Sequence, residues 1–168
     1  AILRAAHYGN VKIMLPMITT LSEVEHAKNL IKKAKEDLSS KRNNFSHCVD
    51  IGIMIEVPSS AVNASQFAKH VDFFSIGTND LVQYALAIDR VNDEVNYLYD
   101  PFNSAVLQLI HNVIKAGKKY NIPVSLCGEM AGDINFTRLL LGMGLQSFSM
   151  HPSAIPEIKK IILNSDTN

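Results

Sequence analysis

Tryptophan is missing from this 168-residue chain, and cysteine, proline and glycine are sparse at two, six and eight. The two cysteines, Cys48 and Cys127, cannot build a disulfide framework, and neither belongs to a CxxC or to a Cys/His cluster of zinc-like spacing. This usage fits a reducing, cytoplasmic compartment. Charge of either sign is not in excess, because sixteen Lys and Arg balance sixteen Asp and Glu. Without a net positive field, neither nucleic acid nor an anionic membrane is an expected partner. Apolar runs are short, as at 85–88 (ALAI) and 139–141 (LLL), against the roughly 20 residues that a membrane-spanning helix needs. The opening AILRAAH has neither the charged nor the apolar region of a signal peptide, and no initiator Met. It reads as the end of a helix already under way, so the chain is expected to be a piece of something longer. What the sequence does have is core-forming material. With 47% hydrophobic and 19% charged residues, a chain of single-domain length can bury a sizeable core, which excludes wholesale disorder.

Short apolar runs alternate with longer amphipathic segments, the pattern of βα units around a parallel sheet. Five strands are expected, at 11–16 (VKIMLP), 51–56 (IGIMIE), 71–76 (VDFFSI), 123–127 (PVSLC) and 147–150 (SFSM). Helices fall between them. Ser22 and Glu25 form a capping-box pattern ahead of Val24, Ala27, Ile31, Ala34 and Leu38 at helical spacing. Ser59 or Ser60 can cap a second helix carrying Val62, Phe67 and Ala68. Asn103 can cap a third with Val106, Leu107, Ile110, Val113 and Ile114 on one face. Asp133 can cap a fourth that stops at Gly142 or Gly144, and 155–162 forms a fifth. The polar stretch 39–46 (SSKRNNFS) is expected to be a loop. Such units fit an open doubly wound sheet or a (β/α)8 barrel; the open sheet should carry a GxGxxG or GxxxxGK[ST] phosphate loop, and none is present.

Four strands run directly into polar residues: Glu56-Val57-Pro58, Gly77-Thr78-Asn79-Asp80, Cys127-Gly128-Glu129 and Ser149-Met150-His151-Pro152. In a barrel, the C-terminal ends of successive strands converge on the mouth where chemistry occurs. Glu56 follows an apolar run and needs a partner there, which can be a neighbouring cation of the protein or a metal ion. Asp80 can be merely the N-cap of a helix starting at Leu81. Two carboxylates on adjacent strand ends favour a Mg²⁺ site, since this hard ion takes one or two carboxylates and fills its sphere with water and substrate oxygens. Asn79 offers amide donors and a carbonyl suited to orienting an oxyanion, and Arg90 offers a planar donor to phosphate, although Arg90 can also be a surface residue. Cys127 is an inert small hydrophobe or, in the same ring, an acid, base or nucleophile. Cys48 has no such setting, and His151 can only stand behind the mouth.

At these residues the chain resembles a known family. The runs IGIMIEVPS (51–59), VDFFSIGTNDLVQYALAIDR (71–90), LCGEMAGD (126–133) and LLLGMGLQSFSM (139–150) resemble the C-terminal phosphoenolpyruvate-binding domain of Enzyme I, the phosphoenolpyruvate-protein phosphotransferases of the bacterial sugar phosphotransferase system. Pyruvate phosphate dikinase and phosphoenolpyruvate synthase share the EVP, GTNDL and CGE patterns more loosely. The resemblance implies an α/β fold, a (β/α)8 barrel. Its activity would be phosphoryl transfer from phosphoenolpyruvate to a protein histidine, leaving pyruvate. It further implies that Glu56 and Asp80 bind Mg²⁺, that Asn79, Asp80 and Arg90 form the substrate site, and that Cys127 donates the proton. The implied partners are phosphoenolpyruvate, the phosphocarrier protein HPr and a second copy in a homodimer.

A full barrel needs roughly 250 residues and eight strands, so residues 1–168 are expected to supply about the last five βα units. The earlier strands, their arginines and the domain with the phosphorylated histidine would lie before Ala1, leaving the isolated chain inactive. Other readings stay open: an enzyme of the pyruvate phosphate dikinase or phosphoenolpyruvate synthase type, a Mg²⁺-dependent aldolase or lyase acting on pyruvate enolates, and a non-catalytic self-association module whose unclosed sheet edges invite pairing.

Overall fold

The computed structural model describes residues 1–89 and 91–166. Five strands, β1 (Ile13–Leu15), β2 (Ile51–Ile55), β3 (Phe73–Gly77), β4 (Val124–Cys127) and β5 (Ser147–Ser149), form one sheet. They pair in sequence order, and every pair is parallel. Each strand lies within two residues of the range expected from its apolar run. The helices are α1 (Ile2–Ala5), α2 (Leu21–Ser40), α3 (Pro58–Val62), α4 (Ala64–Phe67), α5 (Thr78–Leu86), α6 (Ser104–Tyr120), α7 (Ile134–Gly142) and α8 (Ile155–Leu163). None is long and apolar enough to cross a membrane.

The register sorts the strand residues into two faces. Side chains alternate along each strand, so register partners share a face. Ile53, Ile55, Phe74, Ile76 and Leu126 belong to one face and are buried with Val24, Phe67, Leu81, Val82, Val106, Ile110, Val113 and Leu140 from the helices. The other face is different in kind. It carries Met14, Gly52 and Phe73 in one row, Met54, Ser75, Ser125 and Ser147 in the next, and Gly77, Cys127 and Ser149 at the C-terminal rim. Among the described residues, the core helices pack on the apolar face only. A doubly wound sheet would bury both faces under helices. The expected partial (β/α)8 barrel is therefore the architecture observed, with the face that carries the serine row and the Gly77–Cys127–Ser149 rim as the inner wall.

Local chemistry sets several helix ends. Asn103 and Asp133 cap α6 and α7 as expected, each accepting a hydrogen bond from the backbone N–H two residues on. The start of α2 differs from expectation. Its capping box is Thr20 with Glu23, two residues ahead of Ser22 and Glu25. The Glu23 carboxylate accepts from the N–H groups of Thr19 and Thr20 at 2.8 Å each, and from the Thr19 hydroxyl at 3.0 Å. These donors, led by the Thr19 backbone N–H, hold the Glu23 carboxyl below the usual glutamate range. Neither Ser59 nor Ser60 caps the next segment: Val57 is the N-cap and Pro58 opens α3, where its missing N–H costs nothing. The segment breaks at Asn63 into α3 and α4, leaving Val62 66% exposed while Phe67 and Ala68 are buried. The stretch expected as a loop from 39 begins two residues later, because α2 extends through Ser40.

Candidate active site

Glu56 leaves β2 one residue beyond the last β2–β3 pair, Ile55 with Ile76. It is 4% exposed, so its carboxylate is expensive to keep charged without partners. One partner is visible. The Met17 N–H donates to Glu56 Oε1 at 2.7 Å, from a backbone held in the left-handed region at φ 53°. Oε2 has no hydrogen bond among the described residues, and no buried side-chain oxygen there is left unpartnered. The second oxygen therefore reaches the rim. The ion pairs among the described residues are Lys12–Asp50, at the N-terminal ends of β1 and β2 and so opposite the rim, and Lys41–Asp37, at the end of α2. The alternative of a salt bridge to a neighbouring cation of the protein is not found among the described residues.

Facing it, β3 passes into α5 without an intervening loop. Gly77 is the N-cap of α5, which begins at Thr78, so Asp80 is a residue of the helix's first turn and not the cap of a helix starting at Leu81. Gly77 permits a close approach: a Cβ there would stand 2.9 Å from Glu56 Oε2 and 3.0 Å from Met54 Sδ. Asp80 is half-buried and has no hydrogen-bond or ion-pair partner among the described residues. Glu56, held by a single N–H, thus approaches Gly77, and the unpaired Asp80 follows Gly77 by three residues in the first turn of α5. That donor set suits a hard divalent cation.

The β4 end is latched onto the same turn. Thr78, 1% exposed, donates its hydroxyl to the Cys127 carbonyl at 2.8 Å, and the Glu129 N–H donates to Asn79 Oδ1 at 3.0 Å. Gly128 makes this possible with φ +100°, and a Cβ there would lie 2.5 Å from Thr78 Oγ1 and 2.8 Å from Asn79 Oδ1. Because Asn79 Oδ1 accepts from the Glu129 N–H, the N–H groups of its amide are the part of the side chain left to donate. Cys127 is partly buried, with Sγ 3.5 Å from the Ile76 carbonyl and 3.8 Å from Ser75 Oγ.

Glu56, Asn79, Asp80 and Cys127 are thus carried by neighbouring strand ends and their following turns. Arg90 lies outside the described residues. His151 is exposed and turns inward on its own chain, with Nδ1 2.8 Å from Ser153 Oγ. Cys48 is exposed and takes no part. Sequence reasoning passed over Met17, Ser75 and Thr78. The Gly-Thr step ending an apolar strand was a usable signal for Thr78; nothing local marks Met17, whose partner is 39 residues away.

Residues 1–167 match the family described as PEP-utilising enzyme, PEP-binding domain. The chain belongs to this family. Among curated members, it is 52% identical to the phosphoenolpyruvate-protein phosphotransferase of Bacillus subtilis over 92% of its length. It is 49% identical to that of Listeria monocytogenes over 99%, and 47% identical to that of Latilactobacillus sakei over 99%. It spans only 27%, 29% and 29% of these three proteins. Among solved structures, a citrate lyase from Burkholderia xenovorans superposes with a TM-score of 0.70 at 19% identity, covering 98% of this chain and 52% of that one. A HpcH/HpaI aldolase/citrate lyase family protein from Burkholderia cenocepacia gives 0.60 at 15%, covering 96% and 67%. At such identities the likeness is one of fold. It places this PEP-binding domain among barrels of the same build, and the pyruvate-aldolase reading draws nothing further from it.

Proposed function

We propose that this chain is the C-terminal part of a phosphoenolpyruvate-protein phosphotransferase and carries the metal-binding and proton-donating side of its active site. The observation that supports the reading is Glu56: a nearly buried carboxylate, held by one N–H and paired with no cation among the described residues, at the strand end next to the turn that carries the unpaired Asp80. Its length match to under a third of the named phosphotransferases fits a part of such an enzyme. In this reading Glu56 and Asp80 would hold Mg²⁺, which when bound supplies positive charge to neutralise the phosphoryl oxygens.

The chain's own residues then divide the remaining work. Asn79, its amide oriented by the Glu129 N–H, donates to an anionic oxygen of phosphoenolpyruvate. Asp80 lies in the same turn and would border the substrate, and Arg90 would supply a second positive charge to the phosphate. As the phosphoryl group leaves for a protein histidine, the enolate carbon takes the proton of Cys127: a C–H bond forms, the S–H bond breaks and the sulfur keeps the electron pair. Protonation at carbon makes the product pyruvate. The histidine and the phosphocarrier protein HPr would be met through an N-terminal domain outside this chain, in a cytoplasmic homodimer.

Pyruvate release from phosphoenolpyruvate by the full-length protein with HPr tests the reading. Cys127→Ala is expected to lower the rate by about 10²- to 10⁴-fold, the usual worth of a positioned acid, while phosphoenolpyruvate affinity changes less than about threefold. Normal turnover by Cys127→Ala would remove the proton donor from the scheme.

A further inference from the structure

Ser75 sits in the middle of β3, in the run Phe-Phe-Ser-Ile-Gly, where its register partners are Met54 on β2 and Ser125 on β4. It is 6% exposed. A hydroxyl buried in a strand needs a partner, or it loses its hydration without compensation. Backbone carbonyls commonly serve, and the adjoining serine uses one: Ser125 Oγ donates to the Phe74 carbonyl at 3.3 Å. Ser75 does not. Among the described residues, the hydrogen-bond partner of its hydroxyl is Cys127 Sγ, at 3.8 Å.

The sulfur thus stands between two groups of opposite sense. The Ile76 carbonyl, 3.5 Å away, can accept from the S–H, while the Ser75 hydroxyl donates to the sulfur. The first fixes the thiol before it reacts. The second is unaffected by loss of the thiol proton and strengthens when the sulfur becomes an anion, since a hydrogen bond to an ionised acceptor is roughly twice as strong as one to a neutral acceptor.

We propose that Ser75 is a positioning residue for Cys127: its hydroxyl orients the sulfur toward the rim and stabilises the thiolate left after proton transfer to the enolate carbon. This rests on the proton-donor reading of Cys127. The donor is preorganised, because Ser75 lies on a central strand paired on both sides and does not have to move as charge develops.

The test compares Ser75→Thr with Ser75→Val in the full-length protein, two variants of nearly equal volume that differ by the hydroxyl; Ser75→Ala is the third. Steady-state pyruvate formation is read for kcat and KM separately, and alkylation of Cys127 by iodoacetamide is followed by peptide-resolved mass spectrometry. Ser75→Val and Ser75→Ala are expected to lower kcat about fivefold and slow Cys127 alkylation by a similar factor, the scale of one hydrogen bond to a charged group, with KM for phosphoenolpyruvate unchanged. Ser75→Thr restores both. Equal behaviour of Thr and Val, or a wild-type kcat and alkylation rate in Val, would overturn the proposal. The outcomes separate from those for Cys127 itself. Unimpaired turnover by Cys127→Ala would sink the proton-donor reading, whereas a hydroxyl-dependent alkylation rate with that result would still locate the Ser75 interaction.

Discussion

Gly77→Ala puts one methyl group into the tightest place at the rim. The new Cβ would meet Glu56 Oε2 at 2.9 Å, Met54 Sδ at 3.0 Å and Glu56 Cβ at 3.1 Å. Ordinary contacts of this kind begin near 3.4 Å, so Glu56 has to retreat by several tenths of an ångström. Met54 has free rotors and can yield. Glu56 cannot yield as easily, because two atoms of it are struck and Oε1 is held by the Met17 N–H at 2.7 Å. Overpacking of this kind costs about 1–3 kcal/mol, and weakening a hydrogen bond to a carboxylate adds to it. Backbone strain does not contribute, since Gly77 has φ −89°. The expected outcome is about 2 kcal/mol less stability, read from the urea midpoint at unchanged m-value. Phosphoenolpyruvate affinity in the presence of Mg²⁺ should fall about tenfold or more, as 1.4 kcal/mol of misplacement implies. Stability within about 0.5 kcal/mol of wild type together with wild-type affinity would refute the claim that Gly77 is required by the position of Glu56.

Thr78→Val keeps the side chain's shape and removes the donor to the Cys127 carbonyl. It is expected to cost about 1–2 kcal/mol in urea denaturation, and an unchanged midpoint would show that the latch between β3 and β4 carries no weight. Glu23→Gln tests the α2 capping box through pH. The folded-state pKa of Glu23 is lowered by its threonine donors, so its contribution is present above the ordinary glutamate value and fades as pH falls through the lowered one. Wild type should therefore be the more stable of the two near neutrality, and the gap should close as pH falls below the ordinary glutamate range. A gap independent of pH would contradict the assignment.

The strands and most helix starts were legible because their signals are local. A parallel strand covered by helices on one face still reads as an apolar run, and Asn103 and Asp133 cap α6 and α7 with nothing more than their own side chains. The α2 start was misplaced because two overlapping S/T-x-x-E patterns compete. The choice falls to Thr20 with Glu23, since the neighbouring Thr19 adds two further donors to the same carboxylate. Asp80 was ambiguous for a similar reason: Thr-Asn-Asp can precede a helix or enter it, and the Thr78 hydroxyl bonding across to β4 draws the helix start forward. In the site, residue types at strand ends pointed to Glu56, Asn79, Asp80 and Cys127. Their partners could not be read the same way. Met17 approaches Glu56 through a left-handed residue in a loop, and Ser75 meets Cys127 across 52 residues of sequence.

Calorimetric titration of phosphoenolpyruvate into the full-length protein, with and without Mg²⁺, tests most directly whether Glu56 and Asp80 serve one ion. Glu56→Gln and Asp80→Asn should each abolish the Mg²⁺-dependent gain in affinity, and the double variant should be no worse than either alone, because the two groups act as a unit. Wild-type Mg²⁺ dependence in either single variant, or losses that simply add in the double, would contradict the shared site.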